Sequence, residues 1–177
     1  DPLTGLINRG EFRRRLAQWV RDRGPADAAG AVLVVDLDEF GRLNDIVGTH
    51  RADTALATLG AELRALDPWL QLPARIGSDE FAGVLVGPLD AAAVDVARSR
   101  LHHVLTRTAT LHELPPLSIS AGLRVIEPGA SVDQLIRDAN TALRHATRAG
   151  GGTVTVFTEQ VRRSLLIDYL EGDDIRR

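Results

Sequence analysis

The stretch Arg75-Ile76-Gly77-Ser78-Asp79-Glu80-Phe81 constrains this chain more than any other. One apolar segment, Leu70 to Ile76, leads into it, and another, Phe81 to Val86, leads out. Two apolar runs joined by a Gly-containing turn predict a β-hairpin. The turn itself carries two adjacent acids, Asp79 and Glu80, beside a residue with no side chain. Small residues next to paired carboxylates leave room for a metal-bound phosphate to approach the backbone closely.

A partner for the turn lies upstream. Ala31-Val32-Leu33-Val34-Val35 is a β-branched run and predicts a buried strand. It ends in Asp36-Leu37-Asp38-Glu39-Phe40. Three acids at the end of a buried strand cost desolvation energy unless something neutralises them. If this strand lies beside the hairpin, Asp36 and Asp79 can share a divalent cation. On the local pattern alone, a solvated acidic loop beside an acidic turn is the commoner outcome.

The rest of the chain alternates between the two periods. Asn8 to Asp22 reads as an amphipathic helix with Phe12, Leu16, Trp19 and Val20 on one face. Asn8 caps it, Glu11 completes a capping box, and Gly24-Pro25 ends it. Phe40 to His50 is a loop or short helix. Ala52 to Leu66 repeats leucine at helical spacing and stops at Asp67-Pro68. After the hairpin, Asp90 caps a helix running to about Thr108, with Val94, Ala97, Leu101, Val104 and Leu105 inward. Leu117 to Ile126 alternates as a strand, and Gly122 within it marks a bulge or a close backbone approach. Ser131 and Gln134 form a second capping box. It opens a helix that presents Leu135, Ala139, Ala142, Leu143 and Ala146 and ends at Gly150-Gly151-Gly152. Thr153 to Phe157 is a last strand. This order predicts an α/β chain, an α+β sandwich with helices packed on a mixed central sheet. Beyond it, Val161, Leu165 and Tyr169 recur every four residues among charges, so residues 158–177 read as a helix leaving a 1–157 domain. A frayed terminal helix accounts for the pattern equally well.

Composition narrows the function. The 177 residues suffice for one domain with a real core. The net charge of −3 and pI near 6.0 give no electrostatic case for nucleic acid or an anionic membrane. There is no cysteine, so thiolate chemistry is excluded. No run reaches membrane-spanning length. There is no methionine, even at position 1, which predicts a piece of a longer protein. All 21 basic residues are arginine, so any role that requires lysine is vacant. His102, His103, His112 and His145 lack ligand spacing. Gly150-Gly151-Gly152 follows a helix and precedes a strand, the reverse of a P-loop.

Gly77-Ser78-Asp79-Glu80-Phe81 resembles the GGDEF signature of the diguanylate cyclases. Asp1-Pro2-Leu3-Thr4-Gly5-Leu6, Asn8-Arg9, Asp36-Leu37-Asp38, Phe40, Asn44-Asp45 and Asp53 match in the family's order and spacing. The resemblance covers residues 1–157 and implies a nucleotidyl-cyclase or polymerase-palm-like sheet. It implies an activity that joins two GTP molecules into cyclic di-GMP within a homodimer, with magnesium or manganese bound. It places Asp36, Asp79 and the Leu37 carbonyl as metal ligands, and Asp79 and Glu80 in catalysis. Phe40, Asn44, Asp53, Gly77 and Ser78 then fall in the nucleotide site. A carboxylate and an amide suit the donor and acceptor edge of guanine. The resemblance also implies a cytoplasmic setting, a flanking sensor, and residues 158–177 as a connector toward a cyclic di-GMP phosphodiesterase (EAL) domain.

The departures are informative. The family's phosphate-binding lysines and arginine fall on Gly41, Thr147 and Gly151. Arg144, one turn before Thr147, offers partial compensation, while Arg42 and Arg148 are out of register by one. Ser78 replaces a glycine, which predicts crowding or the loss of a positive φ. The RxxD pair of the product-inhibition site falls on Pro68 and Gln71. Arg64-Ala65-Leu66-Asp67 matches that motif only in letters and reads as a helix end. Together these predict a degenerate domain that is catalytically impaired and acts as a nucleotide-binding or dimerising module. A working cyclase and a ligand-free spacer are the alternatives.

Overall fold

The computed structural model describes residues 1–24, 27 and 29–174. The elements run α1 (Arg9–Asp22), β1 (Gly30–Leu37), α2 (Phe40–Val47), α3 (Thr49–Arg64), β2 (Leu70–Arg75), β3 (Glu80–Val86), α4 (Ala91–Leu111), β4 (Ile119–Val125), α5 (Val132–Arg148), β5 (Val154–Val156) and α6 (Glu159–Asp174). The ambiguous stretch after β1 is therefore a helix. Pro25, expected to help stop α1, and residues 175–177 of the expected terminal helix lie outside the described residues.

The sheet order is β2-β3-β1-β4-β5, antiparallel throughout except for the parallel β4–β5 pair. β1 is central and buried on both faces, which is why its sequence is an unbroken apolar run rather than an alternation. Ala31, Leu33, Val35 and Leu37 pack with Leu56, Leu59 and Leu63 of α3 and with Leu101, Val104 and Leu105 of α4. Val32 and Val34 face the other way, onto Phe12 and Leu16 of α1 and Leu135, Ala139 and Leu143 of α5. Helices thus cover both faces of the sheet, and the strand parity decides which residues of β1 meet which layer.

Two local readings are met closely. Asn8 accepts from the Glu11 amide and Asp90 from the Ala93 amide, each capping its helix. Gly122 lies beneath α5, where an added Cβ would stand 2.0 Å from the Ala139 carbonyl oxygen. It is a close approach of strand and helix, and no side chain fits there.

The second capping box does not form. Ser131 makes no side-chain cap, and the Gln134 amide turns instead to Asp138 Oδ1 at 2.6 Å. The buried carboxylate outcompetes an exposed helix end for the donor. The hairpin also carries an irregularity between Gln71 and Ala74, where Leu72 adopts a φ of 52° beside Pro73. β2 is an edge strand, so a proline without an N–H costs it no ladder bond on the open side.

Candidate nucleotide and metal site

The strand end and the hairpin turn converge. Asp36 of β1 lies directly opposite Glu80 of β3. The Leu37 amide donates to the Asp79 carbonyl at 3.1 Å, which stitches the turn to the strand end. The turn closes on itself as the Ile76 amide donates to the Glu80 carbonyl at 2.9 Å. Arg75 braces it from outside, donating through Nη2 to the Ser78 carbonyl at 2.7 Å and pairing with the Asp1 carboxylate at 3.3 Å. Asp1 in turn accepts from the amide and hydroxyl of Thr4. The N-terminal motif and the turn are therefore one hydrogen-bonded unit.

Neither Gly77 nor Ser78 uses a left-handed backbone; the positive-φ residues lie elsewhere. The expectation that serine forfeits a required positive φ is thus corrected. The conformation suits any residue, and the Ser78 hydroxyl donates to Asp79 Oδ1 at 3.0 Å.

Electrostatics ties the carboxylates together. Burial pushes Asp36 up to about 6, and the charges of Asp79, Glu80 and Asp38 add to it. A half-buried carboxylate beside other carboxylates is a place where a bound cation relieves desolvation and repulsion. Among the described residues, no three or more His, Asp or Glu side chains are disposed to hold a metal ion. The chemistry of the donors therefore fits a hard cation that takes one or two carboxylates, a backbone carbonyl, and remaining oxygens from water or ligand. Asp36 and Asp79, with the Leu37 carbonyl, would hold such an ion, which neutralises developing phosphate charge when bound.

Asp38, the third acid, has a different role that the sequence alone did not reveal. It accepts from the Ser118 and Ser120 hydroxyls, each at 2.7 Å, and from the Gly152 amide at 2.9 Å. It bolts the end of β1 to the start of β4 and to the glycine turn after α5. The only signal for this was the pair of serines flanking Ile119, which nothing in the sequence connects to residue 38.

An open cavity of about 870 Å³ lies over this junction. Asp36, Leu37, Phe40 and Asp79 line it, and so do Gly41, Thr147 and Gly151. Among the described residues Arg42 is the single cation of its lining, and it already pairs with Glu39 at 3.2 Å. Glu80 shares a second cavity of about 670 Å³ with Asp36, walled by Arg137, Asn140, Thr141, Leu143, Arg144, Thr147 and Arg148 of α5. Asn44 on α2 and Asp53 on α3 stand on packed neighbouring helices, outside the lining of both cavities, as do Gly77 and Ser78. Arg64 closes α3 and donates to the Thr4 carbonyl, so the RxxD look-alike is a helix end as read.

Comparison with known proteins places this architecture. The family described as "Diguanylate cyclase, GGDEF domain" matches residues 1–153. The diguanylate cyclase TpbB of Pseudomonas aeruginosa is 32% identical over 158 residues, covering 86% of this chain and 36% of TpbB. Diguanylate cyclase DgcP of the same organism is 33% identical over 155 residues, covering 85% of this chain and 22% of DgcP. The chain thus spans about a third or less of these relatives. A structure comprising only the GGDEF domain of PA1120 (TpbB or YfiN) superimposes with a TM-score of 0.80 at 29% identity, covering 94% of this chain and 98% of that one. The GGDEF domain of DgcB from Caulobacter crescentus, solved in complex with c-di-GMP, gives 0.70 at 25% identity, covering 88% and 91%. The mixed five-stranded sheet with helices on both faces is the fold of this class. The chain belongs to the GGDEF domain family, the family of cyclic di-GMP signalling, and is homologous to diguanylate cyclases.

Proposed function

We propose that this domain binds a guanine nucleotide with a divalent cation and serves as a regulatory or dimerising module whose cyclase turnover is impaired. One observation carries the reading. Gly41, far in sequence from Thr147 and Gly151, lines one cavity with them beside Asp36 and Asp79, and none of the three bears a charge. They are the positions where the family resemblance puts its phosphate-binding cations. Each charge-assisted hydrogen bond contributes about 1.5–3 kcal/mol. The loss of three corresponds to several orders of magnitude in transition-state stabilisation, even allowing for non-additivity. Asp36, Asp79 and the Leu37 carbonyl hold the cation, Glu80 stands beside them, and Asn44 and Asp53 read the base on α2 and α3. Residues 158–177 are a connector toward a following domain.

Titration with GTP in magnesium, followed by product assay on protein shown to be dimeric, tests this. Binding without appreciable cyclic di-GMP is expected. No binding at millimolar GTP would reduce the domain to a scaffold, and rapid turnover would restore it to the active cyclases. The active reading has its own support in the close placement of Asp36, Asp79 and Glu80. It requires turnover that disappears in Asp79→Ala.

A further inference from the structure

The second cavity has two walls of opposite sign. Asp36 and Glu80, paired across β1 and β3, form one. Arg137, Arg144 and Arg148 of α5 form the other. Their spacing of seven and four places the three guanidinium groups on a single stripe of the helix, with Thr141 between them. All eleven ion pairs among the described residues lie elsewhere, on arginines such as Arg14, Arg98, Arg107 and Arg124. Among the described residues, the side chains of Arg144 and Arg148 make no ion pair or hydrogen bond, and that of Arg137 donates only to the neutral Gln134 amide oxygen at 3.0 Å. The walls are close enough to bound one cavity, yet no Arg of the stripe reaches within 4.0 Å of Asp36 or Glu80. Unpaired cations facing carboxylates across a gap match a ligand that is itself bipolar.

We propose that the Arg137–Arg144–Arg148 stripe is a polyphosphate-binding wall, taking the phosphate oxygens of a nucleoside triphosphate whose cation sits at the carboxylate wall opposite. The inference rests on the nucleotide-binding reading above and adds where the phosphates go. Guanidinium groups bind phosphate oxygens in a bidentate manner. A grip on this side of Thr147, rather than at Thr147 and Gly151 themselves, holds the triphosphate away from the position the family's cations define. Binding then persists while in-line displacement suffers, because displacement of about 1 Å already costs catalysis heavily.

Isothermal titration of the intact chain with GTP and magnesium, and separately with inorganic triphosphate and magnesium, tests the wall. The double variant Arg144→Ala with Arg148→Ala is expected to weaken both ligands at least tenfold. Arg144→Gln with Arg148→Gln, which keeps much of the apolar stems, is expected to do the same with an unchanged unfolding temperature. The double variant Arg98→Ala with Arg107→Ala removes equal charge from α4 on the opposite face of the sheet and is expected to leave both affinities unaltered. Undiminished GTP affinity in both α5 variants overturns the wall and leaves the nucleotide reading standing. Equal losses in the α4 variant also overturn it, by showing an effect of net charge alone. If GTP fails to bind but triphosphate binds and is lost with Arg144 and Arg148, the wall stands and the guanine reading falls. If neither binds, both fall.

Discussion

Asp36 is the residue at which burial and charge oppose each other. Its folded pKa, raised to about 6 by burial and by Asp79, Glu80 and Asp38, exceeds the ordinary 3.8. Between those values the folded state binds more protons than the unfolded chain, so this group's contribution to stability falls as pH rises from about 4 to 6 and stays low above. Asp36→Asn removes the charge and is expected to raise the unfolding temperature at pH 7.5, with the gain vanishing by pH 4. Magnesium is expected to stabilise the parent at pH 7.5 more than at pH 5, and to lose that effect in Asp36→Asn. Thermal melts across the pH range, with and without magnesium, check both statements. Gly122 gives the converse case, a position with no chemistry and no tolerance. Gly122→Ala drives a methyl into the Ala139 carbonyl and the Leu143 amide. It is expected to cost about 3 kcal/mol or more in denaturant unfolding, because backbone on both sides must move.

At the scale of elements, α5 and α6 are joined by a buried charge. The Asp138 carboxylate, only 4% exposed, accepts from Arg124 at 2.9 Å, from Arg162 at 2.7 Å and from Gln134 at 2.6 Å. Arg124 and Arg162 also flank the Phe157 ring. This cluster pins the first turns of α6 to the domain. Farther along, Leu166, Ile167, Tyr169 and Leu170 are exposed. Arg162→Ala is expected to release α6, seen as faster hydrogen exchange over residues 159–170 with the strands unchanged. Asp138→Ala strands Arg124 in a partly buried setting and is expected to cost about 3–5 kcal/mol, well beyond the loss from Arg162→Ala.

For the whole molecule, the same arithmetic predicts how separable the C-terminal helix is. Removing residues 158–177 deletes Arg162 but leaves Asp138 with Arg124 and Gln134. The 1–157 piece is therefore expected to unfold cooperatively, with a smaller loss than Asp138→Ala produces. A calorimetric melt of both proteins decides the ranking. No helix among the described residues is long and apolar enough to cross a membrane. Assembly of two such domains is what cyclisation of two GTP molecules demands, so any turnover is expected to rise with the square of protein concentration at low occupancy of the dimer.

Much of this was written in local pattern. Alternation, capping at Asn8 and Asp90, and apolar spacing along α3, α4 and α5 act within a few residues, so the sequence alone carried them. The close approach at Gly122 was legible because only one residue type survives it. The meeting of Asp36 with Asp79 was one arrangement the local pattern allowed, and the family resemblance, not the local pattern, favoured it. What remained hidden depends on distances that no spacing encodes. Asp38 became a brace because Ser118, Ser120 and Gly152 arrive from eighty and more residues away. Gln134 left its expected cap because a buried carboxylate stood one turn on. Three uncharged positions and three arginines were distinguished as separate walls only when α5 was laid across the sheet. Short-range order is set by backbone sterics and solvent contrast; convergence of remote charges is set by which faces the core brings together.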